Sequence, residues 1–400
     1  MRGQLVRRTW EHDPSLYAPA RFRKACHYEA FIPDELAEFS ESISSELSGI
    51  VSEAEAAIRT LNSVVSPALA PFARLLLRSE SIASSKIEGM QVEVREIARA
   101  QTQLNTARNV RSVVREVLGN IGAMESAIDR GSAAEEITLE NIVDIHRILM
   151  KSASTSHLAG LIRKEQNWIG GNDYNPCGAD FVPPPQEEVA ALMADLCRAM
   201  NEDHLPPVIQ AGLIHAQFET IHPFHDGNGR TGRALVHVIL RRRGMSPVYV
   251  PPISIVLAGR KERYVEGLTK FRRGETSEWL SIFSEAAAKS AHLASSYVRE
   301  VESLQDKWRK SLAAASNPRS DAAAWAIIDI LPAYPVITVP VTTVATGRTK
   351  AVVGEGLKQL EAAGILSRLP IGGGATTWES AQLLDLISDL EAGEPPSSSE

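Results

Sequence analysis

The chain has 400 residues, 44% hydrophobic and 23% charged, with a net charge of -7. That is an ordinary globular composition with room for two or three domains, and it excludes a protein whose whole surface grips nucleic acid. No run of about eighteen apolar residues appears, and the basic N-terminus lacks the apolar centre of a signal peptide, so a cytoplasmic protein without membrane spans is expected.

The helical spacing of ISSELSGIVSEAEAAIRTL and PFARLLLRSESIASSKIEG predicts an N-terminal helical region over 1–120. ITLENIVDIHRILM opens a second block over 121–310, with Thr138 as N-cap and Ile142, Ile145 and Leu149 on one face. NWIGGNDYNPCGADFVPPPQ, from Asn167, is rich in Gly, Pro, Asn and Asp between short apolar runs and reads as a hairpin or ordered loop. Helix resumes near Gln186 and runs through PVIQAGLIHAQFETI and RALVHVILRRRG, where Arg241, Arg242 and Arg243 before Gly244 suit a helix C-terminus. A long helix is expected over about 276–309, then a linker at 311–320.

Residues 321–390 read as a helix, a helix-turn-helix (VTTVATGRTKAVVGEGLKQLEAAGIL) and two strand-like pieces around the glycines of LSRLPIGGGATTWE, which is a winged-helix pattern. Residues 391–400 are expected to be disordered. The expected fold class is mainly α with one small β-hairpin. Cys26, Cys177 and Cys197 have no C-x-x-C spacing, so neither a disulfide framework nor a cysteine zinc site is expected.

Between the two apolar helices lies HPFHDGNGRTGR, residues 222–233. A buried helix is expected from about Arg230, with its N–H groups directed at the loop, and such an N-terminus attracts phosphate. Gly227 and Gly229 let backbone curl around an anion, and Asn228 can donate beside them. Arg230 and Arg233, three apart, reach the same side. Asp226 is a single hard carboxylate suited to Mg²⁺, and His222 is placed as general base. His222 and His225 as zinc ligands lack a third partner at a familiar spacing. Structural roles are expected for His215, His225 and His237, and Trp168 and Phe181 are expected either to touch a target or to pack on their own core.

This stretch resembles the Fic family signature H-x-F-x-[DE]-G-N-G-R-x-x-R, matched at His222, Phe224, Asp226, Gly227, Asn228, Gly229, Arg230 and Arg233. The resemblance implies a Fic helical core and Mg²⁺-dependent transfer of AMP from ATP to Tyr, Thr or Ser hydroxyls of target proteins. In that reading His222 is the base, Asp226 holds Mg²⁺ and Phe224 anchors the loop. Gly227, Asn228, Gly229, Arg230, Thr231, Gly232 and Arg233 form the phosphate site. Residues 163–185 are similar to the family's flap, which aligns the target segment by strand-like pairing. Tyr264 lies in a segment similar to the one that closes over the nucleoside.

SESIASSKIEGM resembles the family's inhibitory motif [ST]-x-x-x-E-[GN], matched by Ser84, Glu88 and Gly89. The resemblance implies that Glu88 reaches Arg233, takes the place of the γ-phosphate and autoinhibits the enzyme. Removal of AMP, or transfer of another nucleotide, stays open as an alternative. So do self-modification and a homodimer. Readings from other classes are a DNA-binding regulator and an ATP sensor. Residues 321–390 carry four basic side chains (Arg348, Lys350, Lys358, Arg368) against seven acidic ones, a net of -3. That is poor for DNA and better suited to dimerisation or docking a partner.

Overall fold

The chain begins with strands where helix was expected: β1 (Gly3–Trp10) pairs antiparallel with β2 (Cys26–Pro33), from Gly3 opposite Pro33 to Trp10 opposite Cys26. Valine, threonine, tyrosine and phenylalanine populate this hairpin, and their branched or aromatic side chains favour the pleated backbone. The structure, a computed structural model, describes residues 3–37, 39, 42–63, 70–103, 110–369 and 376–396. Helices follow: α1 (Ser45–Leu61), α2 (Ala70–Ile87), α3 (Val94–Gln103), α4 (Ser112–Ala133), α5 (Leu139–Met150) and α6 (Val189–Asn201). Then come α7 (Pro207–Ile221), α8 (Asn228–Arg242), α9 (Ile253–Gly259), α10 (Lys261–Arg272) and α11 (Thr276–Ser316). The fold is mainly α. None of the helices among the described residues is long and apolar enough to cross a membrane.

Two compact units are present. The first comprises residues 1–55, 123–245 and 260–285. Its centre is α7, buried on every side from Val208 to Ile221, in keeping with a sequence that has no single polar face. Pro207 starts it, where a missing N–H costs nothing. Gly212 leaves room for Trp279, whose Nε1 donates to the Gly212 carbonyl at 2.9 Å. α5 begins at Thr138 with a capping box closed by Asn141, and Ile142, Ile145 and Leu149 are buried as its spacing predicts.

The expectation of unpaired thiols fails. Cys26 and Cys177 form a disulfide across 151 residues, with Cα atoms 6.3 Å apart. No local spacing announces such a bond, because tertiary packing brings β2 to residue 177. Cys197 is the buried free thiol, pushed up to about 11 by burial.

The second unit comprises residues 56–122, 246–259 and 286–400. Its core draws Phe72, Leu75 and Leu76 from α2, Val94 and Ala98 from α3, and Trp308 and Leu312 from α11. Glu80 of α2 accepts from the Ser254 N–H at 2.8 Å and from its hydroxyl at 2.5 Å, so a carboxylate sits at the N-terminus of α9. α11 reaches Ser316, past the expected end and into the expected linker. Beyond it are α12 (Ala323–Ile330), β3 (Val336–Thr338), α13 (Val339–Thr346), α14 (Lys350–Ala362), β4 (Ser367–Leu369), β5 (Thr377–Glu379) and α15 (Ala381–Ala392). The strands form one antiparallel sheet in the order β3-β5-β4. The glycines expected at a wing tip, and tail residues 397–400, lie outside the described residues.

Candidate active site

α7 ends where the motif starts. His222 is its C-cap, with φ of 49°, a left-handed conformation that a non-glycine residue keeps only when its surroundings hold it. Arg163 does much of the holding. It is 2% exposed and donates to four carbonyls: His222 at 2.9 Å, Glu165 at 3.1 Å, Pro184 at 2.6 Å and Ile221 at 3.3 Å. Burial lowers its guanidinium to about 10, still charged at neutral pH. Asn167 adds bonds to the His222 and Phe224 carbonyls at 3.2 and 3.0 Å. One arginine and one asparagine thus join the His222 turn to the segment at 163–185. The His222 Nδ1 lies 3.9 Å from Glu219 Oε2, one helical turn back.

Phe224 is fully buried and stacks on His146 with ring centres 3.7 Å apart. His146 Nδ1 accepts from the Gly160 N–H at 2.8 Å, so the proton sits on Nε2, which donates to the Asp226 carbonyl at 2.9 Å. Burial, which disfavours the charged ring, lowers His146 to about 4 and keeps it neutral.

Gly227 is the N-cap of α8 with φ of 77°, and a Cβ there would stand 2.4 Å from Met150 Sδ. α8 therefore starts at Asn228, two residues before the expected Arg230, and aims the N–H groups of its first turn into the loop. The Asp226 carboxylate accepts from the Gly227 N–H at 2.6 Å and the Thr155 hydroxyl at 2.5 Å. Its side chain is 44% exposed and lies 3.7 Å from Arg230 Nη2. Arg230 and Arg233 are both buried, at 4% and 3% exposure, on the first turns of α8. Arg230, a helix N-terminus and one exposed carboxylate lie together, with Arg233 one turn further along α8, a set of groups chemically able to bind phosphate.

Residues 136–240 match the sequence profile of the Fic/DOC family, and residues 49–129 that of the Fic/DOC family N-terminal region. The chain thus carries a Fic/DOC domain preceded by a segment like that family's N-terminal region. The protein adenylyltransferase Fic of Drosophila erecta is 30% identical over 161 residues, 40% of this chain and 29% of that relative; the Drosophila ananassae protein of that description matches equally. The matched segment is thus under a third of the relatives' length. A Fic family protein from Desulfovibrio desulfuricans G20 superposes with a TM-score of 0.52 at 19% identity, covering 85% of this chain and 97% of that one. A Fic domain containing signaling protein from Bacteroides thetaiotaomicron superposes with 0.52 at 20% identity, over 63% and 97%. These two share the fold.

Within the Fic domain, the remaining expected site residues divide. Gly229 lies in the first turn of α8 with the arginines. Thr231 is fully buried, and a Cβ on Gly232 would stand 3.0 Å from His215 Nδ1, so these two serve the packing of α8 on α7. Asn228 braces the loop through Phe224. Tyr264 is buried beside His215, with its hydroxyl 2.9 Å from His215 Nε2. Burial, with Arg233 nearby, lowers His215 to about 3.

The flap is a hairpin bridged at Ile169 and Phe181. Trp168 meets Trp10 edge-on at 5.7 Å, and Phe181 lies under the Arg272 guanidinium at 3.7 Å. Both aromatics are thus packed by their own unit. Ser84 is buried in α2, whereas Glu88 is exposed in the turn just past Ile87, followed by Gly89 with φ of 85°. Arg163 and His146 were missed at sequence level: their work is hydrogen bonding to backbone carbonyls, which carries no spacing signal.

Proposed function

We propose that the chain is a protein adenylyltransferase: a target hydroxyl attacks the α-phosphorus of ATP, AMP is transferred to it and pyrophosphate leaves. The observation that carries this reading is His222 on a turn held by Arg163 and Asn167, just before Asp226 and the first turns of α8 that carry Arg230 and Arg233. A site that merely bound ATP would have no use for the histidine, which disfavours the sensor reading. The Glu219 carboxylate lies 3.9 Å from Nδ1, and in this reading Nε2 takes the hydroxyl proton. Arg230, Arg233 and the amides of α8 bind the phosphates and offset charge that grows on them during transfer.

Asp226 suits Mg²⁺: its carboxylate is half-exposed at the phosphate site, and Mg²⁺ is commonly held by one or two carboxylates plus substrate phosphates. Bound there, the ion would neutralise phosphate charge. The flap would present the target segment by backbone pairing near His222. The target hydroxyl belongs to Tyr, Thr or Ser, on another protein or on the chain itself. In a cytoplasmic setting the glutathione pool would tend to keep Cys26 and Cys177 reduced. Glu88 restrains transfer in this reading, as the Ser84-x-x-x-Glu88-Gly89 motif supports. The helix, strand, helix, helix and two-strand order of residues 323–379 supports a winged helix, and the net -3 of residues 321–390 supports protein docking over DNA.

The test is intact-mass spectrometry of wild type, Glu88→Gly and Glu88→Gly/His222→Ala, each with ATP, Mg²⁺ and a cell lysate. An AMP-sized gain with Glu88→Gly, absent when His222 is also replaced, is expected. No adduct in any sample, with ATP binding intact, would sink the transferase reading.

A further inference from the structure

Within the second unit, the C-terminal domain and the inhibitory helix α2 share one core. Phe72, Leu75 and Leu76 of α2 cluster with Leu383, Leu384, Ile387 and Leu390 of α15. Around that core lies a charge pattern the composition could not explain. α2 carries Arg74 and Arg78, and α3 carries Arg95 and Arg99, each pair one helical turn apart and so on one face. Opposite them are acidic side chains of the C-terminal domain. Glu379, on β5, is 5% exposed and takes a two-pronged bond from Arg99, at 3.0 Å from both Nε and Nη2. Arg95 reaches Glu379 at 3.4 Å and Asp385 of α15 at 2.6 Å. Arg74 donates to the Tyr334 hydroxyl and lies over its ring.

Deeper in, Arg78 is 3% exposed and donates to the Gln101 side chain of α3 at 3.4 Å, and its charge acts on Glu391 in the last turn of α15. Burial raises the Glu391 carboxyl to about 8, opposed by Arg78 and by Lys86, the last basic residue of α2, and assisted by Glu93. Lys86 stands two residues before Glu88. Separating the Arg99 fork from Glu379 is costly, because the Glu379 side chain, only 7% exposed, would be left with less of its buried charge satisfied.

We propose that the C-terminal domain is a clamp on the inhibitory segment: Glu379 and Asp385 engage Arg99 and Arg95 of α3, Tyr334 engages Arg74 of α2, and these contacts with the shared core hold the segment with Ser84 and Glu88 in its restraining place. The acidic balance of the domain then has a use, since Glu379 and Asp385 face the arginines of α3. The regulatory half of this inference rests on Glu88 being inhibitory; the mechanical half does not.

The test is a charge-swap cycle in the full chain: Arg99→Glu, Glu379→Arg and the double exchange, with the milder Arg99→Gln, which leaves Arg95 on Glu379, against loss of folding. Backbone hydrogen exchange over residues 80–90 reads the clamp without reference to activity. Nucleotide transfer, with Glu88→Gly as the uninhibited standard, reads its consequence. Each single exchange, and Arg99→Gln in the same direction, should speed amide exchange at least tenfold and raise transfer toward the Glu88→Gly level, with both restored in the double exchange. Unchanged exchange over residues 80–90 in folded variants overturns the clamp. Faster exchange without added transfer, while Glu88→Gly is active, overturns its regulatory role. If Glu88→Gly itself transfers nothing, the inhibitory reading has failed and the clamp is judged on hydrogen exchange alone.

Discussion

The Asn228 side chain grips Phe224 at both polar ends of that residue: its Oδ1 accepts from the Phe224 N–H at 2.9 Å, and its Nδ2 donates to the Phe224 carbonyl at 2.8 Å. Both residues are buried, so each bond replaces water the backbone has lost. The nearly isosteric Asn228→Asp keeps the acceptor but loses the donor and sets a carboxylate against a carbonyl. A loss of roughly 1 to 3 kcal/mol is expected, read by urea unfolding, with transfer falling as the loop loosens. Unchanged stability would mean the amide is not a brace.

Arg163→Met keeps the aliphatic stem but leaves the carbonyls at Ile221, His222 and Pro184 without this donor. Roughly 3 kcal/mol should be lost, together with faster proteolysis of the flap. Arg163→Lys should recover part of this, because a lysine offers three donors from one point while arginine spreads five over a plane.

Gly227 and Gly89 both adopt positive φ, but a Cβ at Gly227 strikes Met150, whereas at Gly89 it meets nothing within 4 Å. Gly89→Ala should therefore cost about 1 kcal/mol of backbone strain. Gly227→Ala should cost clearly more and weaken ATP binding. Equal unfolding midpoints for the two variants would contradict the crowding described for the loop.

The pH dependence has opposite signs in the two units. His146 and His215 are lowered to about 4 and about 3, while the unfolded chain titrates near 6.5. Below 6.5 the unfolded state binds more protons, so stability of the first unit falls as pH drops from 6.5 toward 4. Glu391 is raised to about 8, so the folded second unit holds an extra proton above about 4.5 and loses stability as pH rises from there to 8. Hydrogen exchange followed across pH should show both trends, with Glu391→Gln flattening the second.

The Cys26–Cys177 bond ties β2 to the flap, where Asn175 also donates to the Phe22 carbonyl at 2.9 Å and Phe22 stacks on Tyr174. Cys26→Ser should lower stability by about 2 to 5 kcal/mol, because so long a loop is released in the unfolded chain. Thiol titration of the folded protein should count two new reactive groups after reduction, with buried Cys197 silent. Two reactive thiols before reduction would refute the bond.

The loop between α7 and α8 was legible in the sequence because its pattern is local: twelve consecutive residues carry the glycines, the acid and both arginines, and a helix N-terminus needs no distant partner. The apolar periodicity around it was equally local, which is why α5, α7 and α8 followed their patterns to within a few residues. The N-terminal strands gave no comparable signal, since a hairpin's register is settled by what it packs on, here the Val182 carbonyl that accepts from the Phe31 N–H. The disulfide, the grip of Arg163 on four carbonyls, the neutral His146 and the pairing of Glu379 with Arg99 all join residues far apart in the chain. No spacing rule reaches such pairs. Tertiary structure alone decided them, because burial determines which polar groups must find partners, and the fold determines which partners are within reach.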